Sequence, residues 1–219
     1  MKKFKKVFKT CIAVIGIVVI GIIVLSIPKE ANIDHGWNLI LVNHEYKVPL
    51  DYETDLVTLV NGKEVDKKIY SYLIDMLEDM EKEGIYAFVS SGYRTNSYQQ
   101  QLLDQRIDAY KAEGYGPISS YISARNWVAL PGHSEHHLGI AVDINNTVES
   151  STQEVYQWLS NNAYKYGFIK RYPGDKIEIT KIHSEPWHYR YVGYEHAKYI
   201  HENNICLEEY IDILNQTIN

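Results

Sequence analysis

Two segments of the sequence indicate the centre of the fold: Ser134-Glu135-His136-His137-Leu138-Gly139-Ile140-Ala141-Val142-Asp143 and, beginning 42 residues after Asp143, Glu185-Pro186-Trp187-His188. Two imidazoles, one carboxylate and a further glutamate suit a hydrolytic zinc site, which combines three protein ligands, an open position for water and a base that is not a ligand. The alternation that ends the first run predicts a strand with Asp143 on the same side as Gly139 and Ala141. These two small side chains leave room for an ion, so we expect a zinc hydrolase.

The second run places a glutamate close to a metal ligand without making it one. His188 begins a predicted strand, and Glu185 stands three residues earlier, ahead of a proline that interrupts regular strand pairing. Glu185 can therefore lean over the ion. In an extended segment His137 would point away from His136, which favours a supporting role for it. Composition alone leaves the choice of ligands open, because three further histidines lie near the candidates: His133, His137 and His183.

The remaining periodicity predicts an α+β fold, a small antiparallel sheet with helices packed on it. A helix is expected over 66–82, and a strand over 85–90 delivers Ser91-Gly92-Tyr93-Arg94 at its end. Asn96 is the expected N-cap of the next helix, and 139–145 is predicted to be a half-buried strand. The other expected elements are a helix or turn over 119–128, a helix from a capping box at 151–154 to Gly167, strands over 168–171 and 187–192, and helices over 195–203 and 207–214.

The first residues of the chain predict a membrane anchor. Five lysines lie within residues 1–10, and residues 11–27 carry no charge, a run that is about 25 Å long as a helix. We expect a cytoplasmic basic tail over 1–10 and one transmembrane helix over 11–28, with everything after it outside the cell membrane. A cleaved signal peptide is the alternative, but no small-x-small cleavage site follows the apolar run.

The composition predicts one catalytic domain and excludes some partners. A chain of 219 residues with 45% apolar residues suits a single domain, which we place at 63–219 after an extended lead-in over 29–62. The two cysteines, Cys11 and Cys206, allow no disulfide framework. The formal net charge is −6, and six of the 22 lysines and arginines lie within the first 29 residues, so nucleic acid is not an expected partner.

Three motifs resemble those of the VanY-type zinc D,D-carboxypeptidases, kin to the D-Ala-D-Ala dipeptidases and to the L,D-carboxypeptidases that trim peptidoglycan stems. They are 91–94 with Gln99, 131–143, and 185–192, and the resemblance covers roughly residues 37–193. It implies that His136, Asp143 and His188 bind Zn²⁺. His137 and Leu138 stand where the family usually has Thr or Gln, a departure that leaves the ligands untouched.

The resemblance also implies roles for the residues around the ion. Glu185 would be the catalytic base, and Arg94, whose planar guanidinium suits a carboxylate or an oxyanion, would stabilise the tetrahedral intermediate. The residues expected to contact the substrate are Ser134, Gln99 and Tyr93.

The implied activity is removal of the terminal D-Ala from peptidoglycan stem pentapeptides or their lipid-linked precursors. An L,D-carboxypeptidase acting on stem tetrapeptides shares every motif and is the main alternative, and a zinc endopeptidase also remains open. A non-catalytic peptidoglycan-binding domain is less favoured, because the base and all three ligands are present. A contribution to glycopeptide resistance would follow from D,D activity.

Overall fold

The structure, a computed structural model, describes residues 29–218. The predicted basic tail over 1–10 and the predicted transmembrane helix over 11–28 lie outside these residues. Within 29–218, no helix is both long enough and apolar enough to cross a membrane.

The lead-in contributes four short strands. β1 (Lys29–Glu30) pairs in parallel with β2 (Tyr46–Lys47), and β3 (Leu56–Thr58) forms an antiparallel hairpin with β4 (Glu64–Asp66). The boundary expected between residues 62 and 63 falls in the turn of this hairpin.

The central sheet holds four antiparallel strands, as the sequence predicts. They are β5 (Ala87–Ser91), β6 (Ala141–Asn146), β7 (Phe168–Lys170) and β8 (His188–Tyr191), in the spatial order β5-β6-β8-β7. The prediction that β6 is half-buried is wrong, since Ala141, Val142, Asp143 and Ile144 are all buried. Val142 and Ile144 join the hydrophobic core, while Asp143 on the opposite face of β6 lines a cleft.

Seven helices surround this sheet in residues 29–218. They are α1 (Lys67–Lys82), α2 (Asn96–Ala112), α3 (Pro117–Arg125), α4 (Thr152–Asn162), α5 (Ile177–Thr180), α6 (Tyr194–Glu202) and α7 (Leu207–Ile218). Short 3-10 turns lie at Glu135–Leu138, Ala163–Tyr166 and Gly174–Lys176. The fold is α+β.

Local hydrogen bonds explain where two of these helices begin. The capping box predicted at α4 is present, with Ser151 and Glu154 each accepting a hydrogen bond from the main-chain N–H of the other. At α2 the predicted N-cap is wrong: the hydroxyl of Thr95 accepts from the N–H of Tyr98 at 3.2 Å, and Asn96 is already the first helical residue. Thr95 can cap because its backbone is extended just before the first turn.

The lead-in belongs to the hydrophobic core. Ile40, Val42 and Leu59 are buried in the same cluster as the inner face of α1, and Leu39 lies in a second cluster with α6 and α7. The inner face of α1 consists of Ile69, Leu73, Met76 and Met80. Residues on both sides of the expected boundary therefore fill one interior.

Replacing a lead-in core residue should destabilise the whole domain. Ile40 is 1% exposed, so Ile40→Ala should lower the free energy of unfolding by roughly 2–5 kcal/mol through lost burial and the cavity that remains. Ile33 is 60% exposed, so Ile33→Ala should stay within about 0.5 kcal/mol of wild type. Urea unfolding of the three proteins measures both values, and equal stabilities would show that the lead-in is not part of the cooperative core.

Candidate active site

Strand pairing and one 3-10 turn bring together the three predicted metal ligands. β6 and β8 pair with Asp143 directly opposite His188, and the turn at Glu135–Leu138 delivers His136 to the same place. Oδ1 of Asp143 lies 2.9 Å from Nδ1 of His188 and 3.4 Å from Nε2 of His136. One ligand atom from each residue fits within a span of 4.8 Å, so the three could hold one metal ion.

A main-chain contact orients the ring of His136. Its Nδ1 lies 2.7 Å from the carbonyl oxygen of Gly92, which can only accept, so Nδ1 carries the proton and Nε2 is left for a metal. Gly92 can occupy this position because it lacks a side chain: a Cβ there would lie 2.1 Å from the carbonyl oxygen of Glu64. The glycine of the predicted motif thus allows β4 to approach the site.

The charges around the two imidazoles suit a cation. Burial lowers the pKa of His136 to about 4, so this ring is neutral, as a metal ligand must be. Burial would also lower the pKa of His188, but the hydrogen bond with Asp143 and the nearby carboxylate of Glu135 raise it to about 9. The two carboxylates that favour a positive charge on this ring would equally favour a metal ion beside it. Two imidazoles and one carboxylate are a donor set that fits zinc with an open coordination position.

Glu185 stands beside this cluster without belonging to it. Its Oε2 lies 3.9 Å from Nδ1 of His188, and its side chain lines the cleft. Burial raises the pKa of Glu185 to about 7, with the nearby charge of Asp143 acting in the same direction. A carboxylate with this pKa can both accept and return a proton near neutral pH.

Arg94 reaches the same cluster from the loop before α2. Its Nη2 donates to Oδ2 of Asp143 at 2.5 Å, and its Nε donates to the hydroxyl of Ser91 at 2.8 Å. The guanidinium is therefore fixed against a candidate metal ligand while it also lines the cleft.

The cleft extends beyond the metal ligands and has a volume of about 520 Å³. Two of the three residues expected to contact substrate, Ser134 and Gln99, line it, whereas Tyr93 is not among its lining residues in the described part of the chain. Nε2 of Gln99 donates to the carbonyl of Ala129 at 2.9 Å, and its buried Oε1 has no hydrogen-bond partner. Trp187 also lines the cleft.

The prediction that His137 lies in an extended segment is wrong, because Glu135–Leu138 forms a 3-10 turn. The ring of His137 is occupied on both sides: Nδ1 lies 2.6 Å from the carbonyl oxygen of Arg94, and Nε2 accepts from the N–H of Gly132. His137 therefore fastens the loop that carries Arg94 to the turn that carries His136.

A network of buried charged side chains lies behind the site, and the sequence did not predict it. Oε1 of Glu135, which is 1% exposed, accepts hydrogen bonds at 2.8 Å from Nε of Arg171 and from Nη1 of Arg190. Arg171 also makes a bidentate contact with Glu208 of α7, at 2.8 and 2.7 Å. Arg190 lies within β8 and Arg171 directly follows β7, and arginines at or beside the strands of a central sheet could have indicated buried acidic partners.

This network supports the second histidine. Oε2 of Glu135 lies 3.6 Å from Nε2 of His188, on the side of the ring opposite the metal-capable Nδ1. Burial alone would raise the pKa of Glu135, but the two guanidinium groups hold it well below its usual range, so the carboxylate stays charged. Glu135 is thus placed to keep the proton on Nε2 and leave Nδ1 as the ligand atom.

A metal-capable triad with a neighbouring glutamate, all lining one cleft of an α+β domain, is typical of metal-dependent peptidases. Comparison with known proteins agrees: the family model described as "VanY: D-alanyl-D-alanine carboxypeptidase" matches residues 62–194. The chain belongs to this family of enzymes.

Individual relatives give the same result. A D-alanyl-D-alanine carboxypeptidase of Enterococcus faecalis is 47% identical over 189 residues, which cover 86% of this chain and 70% of that protein. A VanY D,D-pentapeptidase variant from a VanB-type vancomycin resistance cassette, solved in complex with Zn(II), is 48% identical with a TM-score of 0.79, covering 80% of this chain and 99% of that chain. VanYB in complex with D-Ala-D-Ala is 48% identical with a TM-score of 0.80, covering 80% and 98%.

Neutralising Glu135 should leave two buried guanidinium charges without their shared partner. Glu135→Gln should therefore lower the free energy of unfolding by about 3–5 kcal/mol at pH 7, as measured by urea unfolding. Glu209, which pairs with Lys176 nearer the surface, offers a control, and Glu209→Gln should change stability by about 1 kcal/mol or less.

The effect should depend on pH in a defined direction. Because the pKa of Glu135 in the fold lies below its usual value of 4.5, its stabilising contribution is complete at neutral pH and declines as the pH falls below 4.5. The stability difference between wild type and Glu135→Gln should shrink in the same range. A difference that does not depend on pH would show that the charge of Glu135 is not what stabilises the fold.

Proposed function

We propose that this protein is a zinc-dependent D,D-carboxypeptidase that removes the C-terminal D-Ala from peptidoglycan stem pentapeptides or their precursors. The observation that carries the proposal is the cluster of His136, Asp143 and His188 in the cleft, with Glu185 beside it. Membership in the VanY family, and the likeness to VanYB in complex with D-Ala-D-Ala, supports this substrate class.

In this proposal Nε2 of His136, a carboxylate oxygen of Asp143 and Nδ1 of His188 would hold the ion. Bound zinc supplies Lewis-acid chemistry that makes water nucleophilic near neutral pH. Glu185 accepts the proton of the attacking water and returns it to the leaving amine of the terminal D-Ala, two steps that its pKa of about 7 suits. The likeness to the Zn(II) complex of VanY supports the choice of metal.

The residues around the ion would bind and orient the peptide. Arg94, fixed against Asp143, directs charged donors into the cleft, where they can stabilise the oxyanion that develops at the scissile carbonyl. Ser134 and Gln99 line the cleft near the cluster and can hold the terminal residue. For Tyr93, no side-chain contact with the cleft supports the predicted role.

We further propose that the catalytic domain faces the outside of the cell membrane. The lysine-rich start of the chain and the uncharged run over 11–27 support a single-pass anchor with this orientation. An anchored, outward-facing domain meets wall peptides and lipid-linked precursors, whereas free D-Ala-D-Ala is made in the cytoplasm. This location favours a carboxypeptidase over a dipeptidase.

Assays with two stem peptides distinguish D,D-carboxypeptidase activity from the alternative functions. Offered muramyl pentapeptide and muramyl tetrapeptide separately, the protein should remove one alanine from the pentapeptide only, as measured by mass spectrometry. Glu185→Gln should lower kcat by about 10²–10⁴-fold, because the proton acceptor is lost. The side chain of Glu178 is 97% exposed, so Glu178→Gln should retain full activity.

Each other outcome overturns a definite part of the proposal. Cleavage of the tetrapeptide alone would make the protein an L,D-carboxypeptidase, and binding of both peptides without cleavage would make it a non-catalytic peptidoglycan-binding domain. Activity that survives both a chelator and Glu185→Ala would refute the zinc mechanism.

D,D activity should also affect the response of cells to glycopeptide antibiotics. Removing D-Ala-D-Ala termini lowers the amount of the drug's target, so expression of the active protein in a susceptible strain should raise the inhibitory concentration of vancomycin. Cells expressing Glu185→Gln at the same level are the control. An unchanged inhibitory concentration despite measurable D-Ala release would show that the activity does not contribute to resistance.

A further inference from the structure

One arginine of the cleft makes no hydrogen bond or ion pair with the metal ligands. Arg106 projects from α2 on the same face as Gln99, Leu102 and Ala109, since residues three, four and seven apart share one side of a helix. All four line the cleft. The cleft therefore continues along α2 from the metal-capable cluster to the guanidinium of Arg106.

Two aromatic rings hold this guanidinium in place. Its central carbon lies 5.2 Å from the ring centroid of Tyr110 and 5.1 Å from that of Trp127. The ring of Trp127 in turn packs on His183, with centroids 4.6 Å apart. Stacking of this kind fixes the plane of a guanidinium without using its N–H donors.

The same guanidinium lacks a counter-ion among residues 29–218. Its Nε is buried and has no hydrogen-bond partner, and no carboxylate of the described residues lies within 4.0 Å of its nitrogens. Arg94, the other arginine of the cleft, is paired with Asp143. In a chain with a net charge of −6, an unpaired cation held rigidly in a cleft is a local attraction for anions.

We propose that Arg106 binds a carboxylate that the substrate carries upstream of its scissile bond, an inference that rests on the proposed function. A planar guanidinium with unsatisfied donors matches a carboxylate, which can accept two of its N–H groups at once. Arg106 is thus a specificity-determining residue for anionic stem peptides.

The length of α2 sets how far upstream this carboxylate lies. Arg106 is 11 residues beyond the N-cap Thr95, and long side chains on a helix lean back toward its start. Its guanidinium therefore lies on the order of 10 Å along the cleft from the helix end next to Arg94, a span of about three extended residues. Stem peptides carry two carboxylates at such a distance, the α-carboxylate of a γ-linked D-Glu at the second residue and the side-chain carboxylate of a diaminopimelate at the third.

Matched peptides test this subsite and separate the two sources. All end in D-Ala-D-Ala: one has D-Glu then Lys, one D-isoglutamine then Lys, one D-isoglutamine then diaminopimelate, and a short diacetyl-Lys-D-Ala-D-Ala has no upstream carboxylate. With wild type, kcat/KM should be about 10- to 100-fold higher for a peptide carrying the recognised carboxylate, mainly through KM, as expected for a charge-assisted hydrogen bond. The peptide that shows this preference identifies the source.

Variants assign the preference to Arg106. Arg106→Gln should abolish the preference while changing kcat/KM for the diacetyl peptide by less than about twofold. Arg106→Lys should retain part of the preference, because the positive charge remains but the planar pair of donors is lost. Arg125 stacks on Tyr121 outside the cleft, so Arg125→Gln should keep the wild-type preference. Circular dichroism verifies folding, and if Arg106→Gln does not fold, the wild-type comparison of amidated and charged peptides still decides.

Several results would overturn the proposal. An equal loss for all four peptides in Arg106→Gln would mean that Arg106 holds the terminal carboxylate or only shapes the cleft. Absence of any preference in wild type would mean that no upstream carboxylate is bound. Failure of the proposed function looks different, because wild type would then release no D-Ala from any peptide.

Discussion

The buried carboxylate of Glu135 is the point on which several distant parts of the chain converge. It accepts from Arg171, beside the end of β7, and from Arg190 in β8, and both guanidinium groups are fully buried. Arg190 also donates to the main-chain carbonyls of Asn38 and Ile40, while Arg171 extends to Glu208 in α7. Burying four charges carries a large desolvation cost, so the arrangement is tolerated only because nearly every donor finds an acceptor.

This network connects folding with the chemistry of the site. The oxygen of Glu135 that the arginines do not use faces His188, so the charges that hold the sheet to the lead-in and to α7 also set the protonation of a candidate metal ligand. On the opposite side the carbonyl of Gly92 orients His136. The two rings are thus oriented from behind by the folded chain, and such preorganisation lowers the cost of binding an ion.

The sequence predicts what depends on short-range pattern and misses what depends on contacts between distant residues. The β6 alternation and the Ser151 capping box were predictable because each follows from residue types a few positions apart. The metal-capable triad was predictable for another reason: His188 lies 45 residues after Asp143, but both belong to motifs that resemble those of a known family. The partners of Glu135 were not, since Arg171 and Arg190 lie 36 and 55 residues away and only packing shows that they meet. The conformation around His137 was not predictable, because four residues of this composition can form either a 3-10 turn or an extended segment.

Because the charged groups of this network are paired with one another, they also constrain how the protein can evolve. Losing Glu208 alone would leave part of the charge of Arg171 uncompensated in the interior, whereas replacing the whole group by apolar residues of similar volume can cost little. Glu135, Arg171, Arg190 and Glu208 should therefore be strongly epistatic, changing together or not at all. Because Glu135 also faces His188, proteins that retain the metal site should also retain these four charged residues. Glu208 of α7 should therefore be retained as well, although no residue of α7 lines the cleft.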